Sequence, residues 1–317
     1  MNKRAAEVAV VIPNLDGGEH LLAALASVRG FPGVEIVVAD NGSSGAELAV
    51  IRSAFPEAGV VALGRNRGFA AACDAGIRAT TAPFVMLLNN DATLAPGALD
   101  SLHDHIRSDE RLGAVQALVL DGAGERVDTA GIHWNRRGEA WPLGVGAAPP
   151  SPGSAPFPLA GVSATAALYR RAALAGVGDR GRAFHPRYFA YYEDVDLSLR
   201  LLRRGWRLAC VPAARACHRG SLTGRRWPWR RERLLARNRW WTLRRNLGSS
   251  LLLRSAGRLL RADLAHAHRV GLRGLWLLAM VPLWIAGAPR LRADVAGERL
   301  AAFPQAEVPP WLREGLT

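Results

Sequence analysis

The sequence predicts an α/β fold: a mostly parallel, Rossmann-like sheet flanked by helices, followed by a basic helical region. Apolar runs of strand length alternate with amphipathic segments of helical spacing, a pattern typical of parallel sheets. Polar side chains follow several of these runs. The last third of the chain differs from the rest because it carries nearly all of the excess positive charge.

Four strands are predicted in the first 90 residues, at 8–12, 35–39, 60–63 and 84–88. Each is short and almost purely apolar, which is typical of strands buried on both faces of a sheet. Helical segments separate them, and Leu21, Leu25 and Val28, for example, recur on one helix face. This alternation of strand and helix predicts that the four strands run parallel.

Polar residues follow three of these strands: Asn14 and Asp16 the first, Asp40 and Asn41 the second, and Asn89, Asn90 and Asp91 the fourth. Taken alone, the triplet at 89–91 could be a simple turn, because Asn and Asp favour turns. Ligands of open α/β sheets, however, bind at the carboxyl ends of strands. Three polar strand ends in one sheet therefore predict a shared functional crevice. No glycine-rich dinucleotide motif follows the first strand, so a nicotinamide or flavin dinucleotide is not predicted.

The second part of the chain predicts a helix at 95–107, strands at 114–120, 164–169 and 208–212, a hairpin near 128–138, and a surface loop at 147–158. A second acidic group, Glu193, Asp194 and Asp196, lies in the first turn of a further predicted helix. Such acids often only complement the helix dipole and cap its free N–H groups. The sequence pattern alone leaves that interpretation open beside a functional one.

Cysteine content and the amino terminus favour a cytoplasmic protein. The three cysteines show no CxxC spacing, which argues against a disulfide framework and a structural zinc site. The first apolar run is short and stops at Pro13 without a small-residue cleavage site, unlike a signal peptide.

The basic region explains most of the net charge of +14, since residues 219–317 hold 19 arginines and only six acidic residues. Arg254, Arg258 and Arg261 are expected on one helix face, opposite Leu259 and Leu260. Residues 274–289 are uncharged, but these 16 residues are fewer than the roughly 20 that a membrane-spanning helix needs. We expect peripheral contact with the anionic inner face of the cell membrane. A helical cap with solvated arginines is one alternative, and nucleic-acid binding, which needs no apolar helix face, is not expected.

Several motifs, in this order along the chain, resemble the family 2 glycosyltransferases, inverting enzymes of GT-A fold, and most of all their rhamnosyltransferase-like members. The matching segments are VIPN at 11–14, VADNGS at 38–43, NRGFA at 66–70, LLNND at 87–91, FAYYEDVDLSLR at 189–200, Gly205-Trp206, and His218 with Ser221. The resemblance covers roughly residues 8–246. Each motif is weak alone, and the ordered set carries the resemblance.

The resemblance implies a binding site for a nucleotide-diphosphate sugar, either dTDP- or UDP-linked, with rhamnose favoured. Asp40 would accept a hydrogen bond from the ring N–H of the pyrimidine, and Asn66 and Gly68 would line the same pocket. The full set of expected donor-binding residues is Pro13, Asn14, Asp40, Asn66, Gly68, Asn89 and Asn90.

The resemblance also implies a divalent cation, Mg²⁺ or Mn²⁺, bound by Asp91 and His218. Because Asn89 replaces the first acid of a strict DXD motif, we expect weak metal binding until the nucleotide supplies phosphate oxygens. Asp194 matches the general base of the family, with Glu193 in support and Asp196 as the alternative base.

The expected reaction is therefore transfer of a sugar to a hydroxyl of a lipid-linked or polysaccharide acceptor by a metal-assisted single displacement. Residues 176–186 depart from the compact turn usual in the family. This region normally shapes the acceptor site, so the resemblance does not identify the acceptor. The expected organisation is a nucleotide-sugar half at 1–120, an acceptor half at 121–222 and a basic, membrane-associating helical region at 223–317. The alternative is a nucleic-acid- or anionic-lipid-binding protein whose nucleotide-sugar domain is catalytically inactive.

Overall fold

The computed structural model of the protein describes residues 6–135, 138–179, 181–220, 228–289, 300 and 309–313. Its strands are β1 (Val8–Asn14), β2 (Val34–Asp40), β3 (Gly59–Ala62), β4 (Phe84–Leu88), β5 (Ala92–Leu94), β6 (Leu112–Asp121), β7 (Val127–Thr129), β8 (Ile132–Trp134), β9 (Ala140–Pro142), β10 (Phe157–Pro158), β11 (Ala166–Arg170) and β12 (Arg207–His218). Its helices are α1 (Gly18–Arg29), α2 (Gly45–Ala54), α3 (Phe69–Arg78), α4 (Ala98–Ser108), α5 (Arg171–Val177), α6 (Glu193–Arg203), α7 (Pro228–Asn246), α8 (Ser249–Val270), α9 (Leu272–Ala286) and α10 (Pro310–Arg313). A separate two-stranded sheet pairs β8 with β9.

The central sheet has the strand order β10-β12-β6-β11-β4-β1-β2-β3, with β5 added to β12 and β7 added to β6. The strands β4, β1, β2 and β3 run parallel, as the sequence predicts, whereas β11 is antiparallel to both β4 and β6. Asn14 at the end of β1 pairs with Asp40 at the end of β2. The carboxyl ends of β1, β2 and β4 consequently lie at one edge of the sheet.

Two hydrophobic layers enclose the sheet, one on each face. Alternate residues of each central strand point to opposite layers, so that Val10 and Met86 pack with α1, α2 and α4, while Val11 and Leu87 pack with α3, α6 and α7. All seven residues of β1 are buried. Burial on both faces explains why these strands read as continuous apolar runs in the sequence.

The strand predicted at 208–212 is longer than expected. A register shift against β6 between Val211 and Arg215 lets β12 continue to His218. Its end then pairs with β5, with His218 opposite Ala92. This extension carries His218 to the edge of the sheet where β4 ends.

The basic region contains three long helices, of which α7 packs against α6. Trp240, Trp241 and Leu243 of α7 are buried in the same hydrophobic layer as the central strands. On α8, Leu259 is buried, but Leu260 is 46% exposed, so the expectation that both face away from the arginines is wrong for Leu260. Successive helix residues differ by about 100° in direction, which places Leu260 beside Arg261 on the outer surface. Within the described residues, no helix is both long and apolar enough to cross a membrane.

Candidate active site

The polar residues at the ends of β1, β2 and β4 form a connected network. Asn90 donates from Nδ2 to Asn14 Oδ1 at 2.8 Å, and Asn14 donates from its own Nδ2 to Ser43 Oγ at 3.1 Å. Asn14 is only 2% exposed. A buried side-chain amide that is hydrogen-bonded on both sides fixes the relative positions of the three strand ends.

Asp40 lies at this edge, at the end of β2, and is 1% exposed. Its carboxylate accepts hydrogen bonds from the backbone N–H groups of Gly42 and Ser43, at 3.2 and 3.3 Å. A carboxylate can accept about four hydrogen bonds, so Asp40 keeps capacity for a further donor. Gly42 has a φ of +100°, and a Cβ there would lie 2.7 Å from the backbone of Arg65, so this close approach of two loops requires glycine.

The loop before α3 is joined to this edge through asparagine side chains. Asn41 donates to Asn66 Oδ1 at 3.1 Å, and the same oxygen accepts from the N–H of Gly68 at 2.9 Å. Gly68 has a φ of +91°, and a Cβ there would lie 2.7 Å from Cα of Phe189. Asn66 and Gly68 therefore lie beside Asp40, as expected, whereas Pro13 is buried inside β1 opposite Ala39.

Asp91 and His218 are neighbours because β5 pairs with the end of β12. His218 Nε2 lies 3.2 Å from Asp91 Oδ1, and His218 Nδ1 lies 2.8 Å from Asp128 Oδ2. Burial lowers the pKa of His218, but the hydrogen bonds and charges of Asp128 and Asp91 outweigh it, and the pKa rises to about 9. A proton on Nδ1 that is donated to Asp128 directs Nε2 toward Asp91.

The donor atoms at this position suit a hard divalent cation. Asn89 Oδ1 is buried and has no hydrogen-bond partner among the described residues, and it lies in the same triplet as the Asp91 carboxylate. Carboxylate and amide oxygens together with an imidazole nitrogen are ligands that Mg²⁺ and Mn²⁺ accept. In the part of the chain that the structure describes, no group of three or more His, Cys, Asp or Glu residues is placed to hold a metal ion. These residues thus fit a cation that takes further ligands from its substrate.

The acidic residues of α6 differ sharply in their surroundings. Asp194 is half-buried, and its Oδ2 accepts a hydrogen bond from the N–H of Ala164 at 3.2 Å. Burial raises the pKa of Asp194. Glu193 is 6% exposed, and burial together with the neighbouring Asp194 raises the pKa of Glu193 well above its usual range. Asp194 is therefore the more solvent-exposed member of this pair.

Asp196 is bound inside the protein and does not reach its surface. It is 1% exposed and forms ion pairs with Arg200 at 3.0 Å and Arg245 at 2.9 Å. Burial alone raises the pKa of a carboxyl, but the two arginines outweigh it and hold the pKa of Asp196 well below its usual range. A carboxylate with such a low pKa is a poor proton acceptor, so the structure gives no support to Asp196 as the alternative base.

The two residues before β11 connect Asp194 to the triplet at the end of β4. The N–H of Ala164 donates to Asp194, while the carbonyl oxygen of the next residue, Thr165, accepts from the N–H of Asn89 at 2.9 Å. Consecutive residues before β11 therefore hold the acid of α6 and the polar end of β4.

The structure brings together most of the residues that the sequence singled out: Asn14, Asp40, Asn66, Gly68, Asn89, Asn90, Asp91, Asp194 and His218. Asp128 is an addition that the sequence does not predict. It lies at the start of the predicted hairpin, and no motif connects it with His218, 90 residues later in the chain. Ser221, which belongs to the matched set of motifs, lies outside the described residues.

Comparison with known proteins gives the family that the sequence matches. The model of the family "Glycosyl transferase family 2" matches residues 9–178, which is more than half of the chain. N-acetylglucosaminyl-diphospho-decaprenol L-rhamnosyltransferase from Mycobacterium tuberculosis is 30% identical to this chain over 247 residues, covering 68% of this chain and 77% of that protein. Pre-mycofactocin glycosyltransferase from the same organism is 29% identical over 216 residues, covering 67% of this chain and 42% of that protein.

Two solved structures resemble the fold at low sequence identity. GalNAc-T7, crystallised with UDP, GalNAc and Mn²⁺, matches with a TM-score of 0.61 and 17% identity, over 78% of this chain and 49% of its own. The mannosyltransferase PcManGT from Pyrobaculum calidifontis, in complex with GDP-Man and Mn²⁺, matches with a TM-score of 0.55 and 17% identity, over 90% of this chain and 75% of its own. These likenesses concern the fold, and they confirm the expected GT-A architecture.

Proposed function

The chain belongs to glycosyltransferase family 2, and we propose that it moves a hexose, with rhamnose favoured, from a dTDP- or UDP-sugar to a hydroxyl of a lipid-linked or polysaccharide acceptor with inversion. The observation that carries this proposal is the location of Asp194. Its half-buried carboxylate accepts a hydrogen bond from the N–H of Ala164, and the next residue, Thr165, accepts one from Asn89. These contacts lie at the edge of the sheet that also holds Asp40 and the Asp91–His218 pair.

Asp40 supports a pyrimidine nucleotide as the donor. Its buried carboxylate keeps acceptor capacity, and the ring N–H of uracil or thymine is a donor that such a carboxylate recognises. Both bases present the same N–H, so this contact fits dTDP- and UDP-sugars alike. The loop with Asn66 and Gly68 would form the wall of the nucleoside pocket.

Asp194 is assigned as the general base. It takes the proton of the acceptor hydroxyl while that oxygen forms a bond to the anomeric carbon. The bond from this carbon to the diphosphate breaks, and its electron pair leaves with the diphosphate. Burial raises the pKa of Asp194, which improves a carboxylate as a proton acceptor near neutral pH. Glu193 is too deeply buried for direct contact with an acceptor and is assigned to supporting the start of α6.

Asp91 and His218 are the proposed protein ligands of Mg²⁺ or Mn²⁺, with Asn89 Oδ1 as a further oxygen close by. Asp128 orients His218 through Nδ1. When bound, the cation supplies positive charge that stabilises the departing diphosphate. Both structural neighbours were crystallised with Mn²⁺, which supports a divalent cation here.

The outer surfaces of α8 and α9 support a lipid-linked acceptor and a peripheral location on the inner face of the cell membrane. Leu253, Leu260 and Leu264 form an exposed apolar stripe on α8, beside the exposed Arg254, Arg258 and Arg261. On α9, Leu272 and Leu283 are 85% and 64% exposed. Apolar stripes beside cationic residues are suited to an anionic membrane surface.

A donor screen tests the proposed function. The purified protein is supplied with Mn²⁺, a panel of dTDP- and UDP-sugars and a polyprenyl-diphosphate-linked saccharide, and nucleotide release is measured. Asp194→Asn should lower the rate of transfer by about 10²- to 10⁴-fold, because a positioned base contributes that much. Nucleotide affinity should be retained. Unimpaired transfer by Asp194→Asn would show that the base is another residue, and the absence of transfer by the wild type with every donor would contradict the proposed activity.

A further inference from the structure

The segment that leads into the proposed base has an unusual backbone. Phe189, Tyr191 and Tyr192 have φ angles of 67°, 69° and 67°, and they are three of the four non-glycine residues with positive φ in the described part of the chain. Left-handed conformations of bulky residues are strained and persist only where surrounding contacts enforce them. Tyr192 directly precedes α6, so this strained turn sets the direction in which Asp194 enters the site.

The contact that enforces the turn comes from α7. The side chain of Asn238 is fully buried, and its Nδ2 lies 3.0 Å from the carbonyl oxygen of Tyr188, 2.9 Å from that of Ala190 and 2.7 Å from that of Tyr191. Two N–H hydrogens are thus shared among three carbonyl oxygens of the turn. The oxygen of Tyr188 also accepts from the N–H of Ala190 and from Arg237. The oxygens of Ala190 and Tyr191 depend on Asn238, and loss of a donor is costly for an acceptor in a protein interior.

Neighbouring residues of α7 reinforce this contact. Arg237 donates to Asn238 Oδ1 at 3.0 Å, which orients the amide so that its nitrogen faces the turn. One turn later along α7, Thr242 Oγ1 lies 2.9 Å from the hydroxyl of Tyr188. At the end of the helix, Arg245 forms the buried ion pair with Asp196, two residues beyond the base. Helix α7 therefore contacts the turn before Asp194 and, through Asp196, the first turn of α6 after it.

The same turn also contacts the loop before α3 and the first turn of that helix. The carbonyl oxygen of Phe189 accepts a hydrogen bond from the N–H of Ala70 at 3.1 Å, in the first turn of α3. Gly68 approaches Phe189 so closely that a Cβ could not be accommodated between them. The turn at 188–192 thus lies between the proposed nucleoside loop and the proposed base.

We propose that Asn238 is a positioning residue for glycosyl transfer: it holds the left-handed turn at 188–192 and thereby sets Asp194 against the donor. This inference rests on the proposed role of Asp194 as the base. It assigns part of the basic region to the active site, because α7 carries the contacts that fix the catalytic helix. Asn238 itself is buried and does not touch substrate.

Substitution of Asn238 tests the proposal with two readouts. In Asn238→Ala, kcat should fall by about 30- to 100-fold, since small displacements of a catalytic group cost about that much. The Kd for the donor nucleotide should stay within about threefold of the wild type, because the residues that line the nucleoside pocket are unchanged. Hydrogen exchange of the amides in residues 188–196, measured by mass spectrometry, should become about tenfold faster or more, because the turn opens more readily.

Leu243→Ala is the matched control, since Leu243 lies on the same helix and is also fully buried but packs in the apolar core. It should lower thermal stability while kcat and the exchange of residues 188–196 stay close to wild type. Equal effects of the two variants, or unchanged kcat and exchange in Asn238→Ala, would overturn the proposal. If Asn238→Ala does not fold, Thr242→Val removes the contact with Tyr188 and should give a smaller change in the same direction. The exchange measurement needs no catalysis, so it tests the contact even if the proposed activity fails.

Discussion

At the scale of single residues, His218 would determine how the proposed site takes up a metal ion. Its pKa of about 9 means that His218 is protonated at neutral pH and lies between the carboxylates of Asp91 and Asp128. A metal ligand must be the neutral imidazole, so a cation must displace this proton. Protons and metal ions would therefore compete for Nε2 of His218 at the proposed site.

Metal affinity should consequently depend on pH. With the nucleotide diphosphate present, the affinity for Mn²⁺ should rise about tenfold per pH unit below pH 9 and level off above it, because one proton is released per ion bound. Calorimetric titration at a series of pH values measures this slope. His218→Gln should bind Mn²⁺ more weakly and with a smaller slope. A slope of zero in the wild type, or tight Mn²⁺ binding without nucleotide, would contradict this account of the site.

The sequence predicted Asp91 and His218 together because each belongs to a motif, but it could not predict Asp128. The contact between Asp128 and His218 depends on the register shift in β12 and on the pairing of β7 with β6, and neither has a local sequence signal. The same limit applies to Asp196. In the sequence it is one of three similar acids, and only the positions of Arg200 and Arg245 show that it is a buried ion-pair residue.

At the scale of elements, helix α8 has apolar residues on two sides. Leu251, Leu259 and Ala262 are buried against the protein, whereas Leu253, Leu260 and Leu264 recur at intervals of seven and four residues on the exposed side. The sequence predicted a single apolar face opposite the arginines. Apolar residues on either side of a helix recur at the same period, so the sequence pattern does not separate a buried stripe from an exposed one. Packing against α7 and α9 decides which stripe is covered.

The exposed side of α8 should bind anionic membranes. Replacing Arg254, Arg258 and Arg261 with glutamine should weaken binding to phosphatidylserine-containing liposomes by on the order of 100-fold, since each residue contributes about 1 kcal/mol at such a surface. Flotation of liposomes across a range of lipid concentrations measures the change. The control replaces Arg52, Arg107 and Arg111, three exposed arginines of the α/β body, and removes the same charge. Recovery of the wild-type protein only in the unbound fraction, or equal weakening in both triple variants, would refute binding through α8.

At the scale of the whole molecule, the boundary expected after residue 222 marks a change in charge, whereas the hydrophobic core continues past it. Trp240, Trp241 and Leu243 of α7 are buried in the layer that covers one face of the central sheet. The parallel direction of β1 to β4 could be predicted because buried strands and amphipathic helices alternate clearly in the sequence. The role of α7 could not, since the numerous arginines of this segment obscure its buried residues.

A chain that ends at residue 222 should therefore fail to fold cooperatively. Burial of each large apolar side chain contributes about 1.5–3 kcal/mol, so loss of Trp240, Trp241 and Leu243 removes an amount comparable with the roughly 5–15 kcal/mol that stabilises a typical domain. The truncation also leaves Asp196 and the strained turn without their partners on α7. Thermal unfolding followed by circular dichroism, together with gel filtration, measures the outcome. A chain ending at residue 289 keeps α7, α8 and α9 and should unfold cooperatively. A cooperative transition and unchanged nucleotide affinity in the shorter chain would show instead that the α/β body is a separate domain.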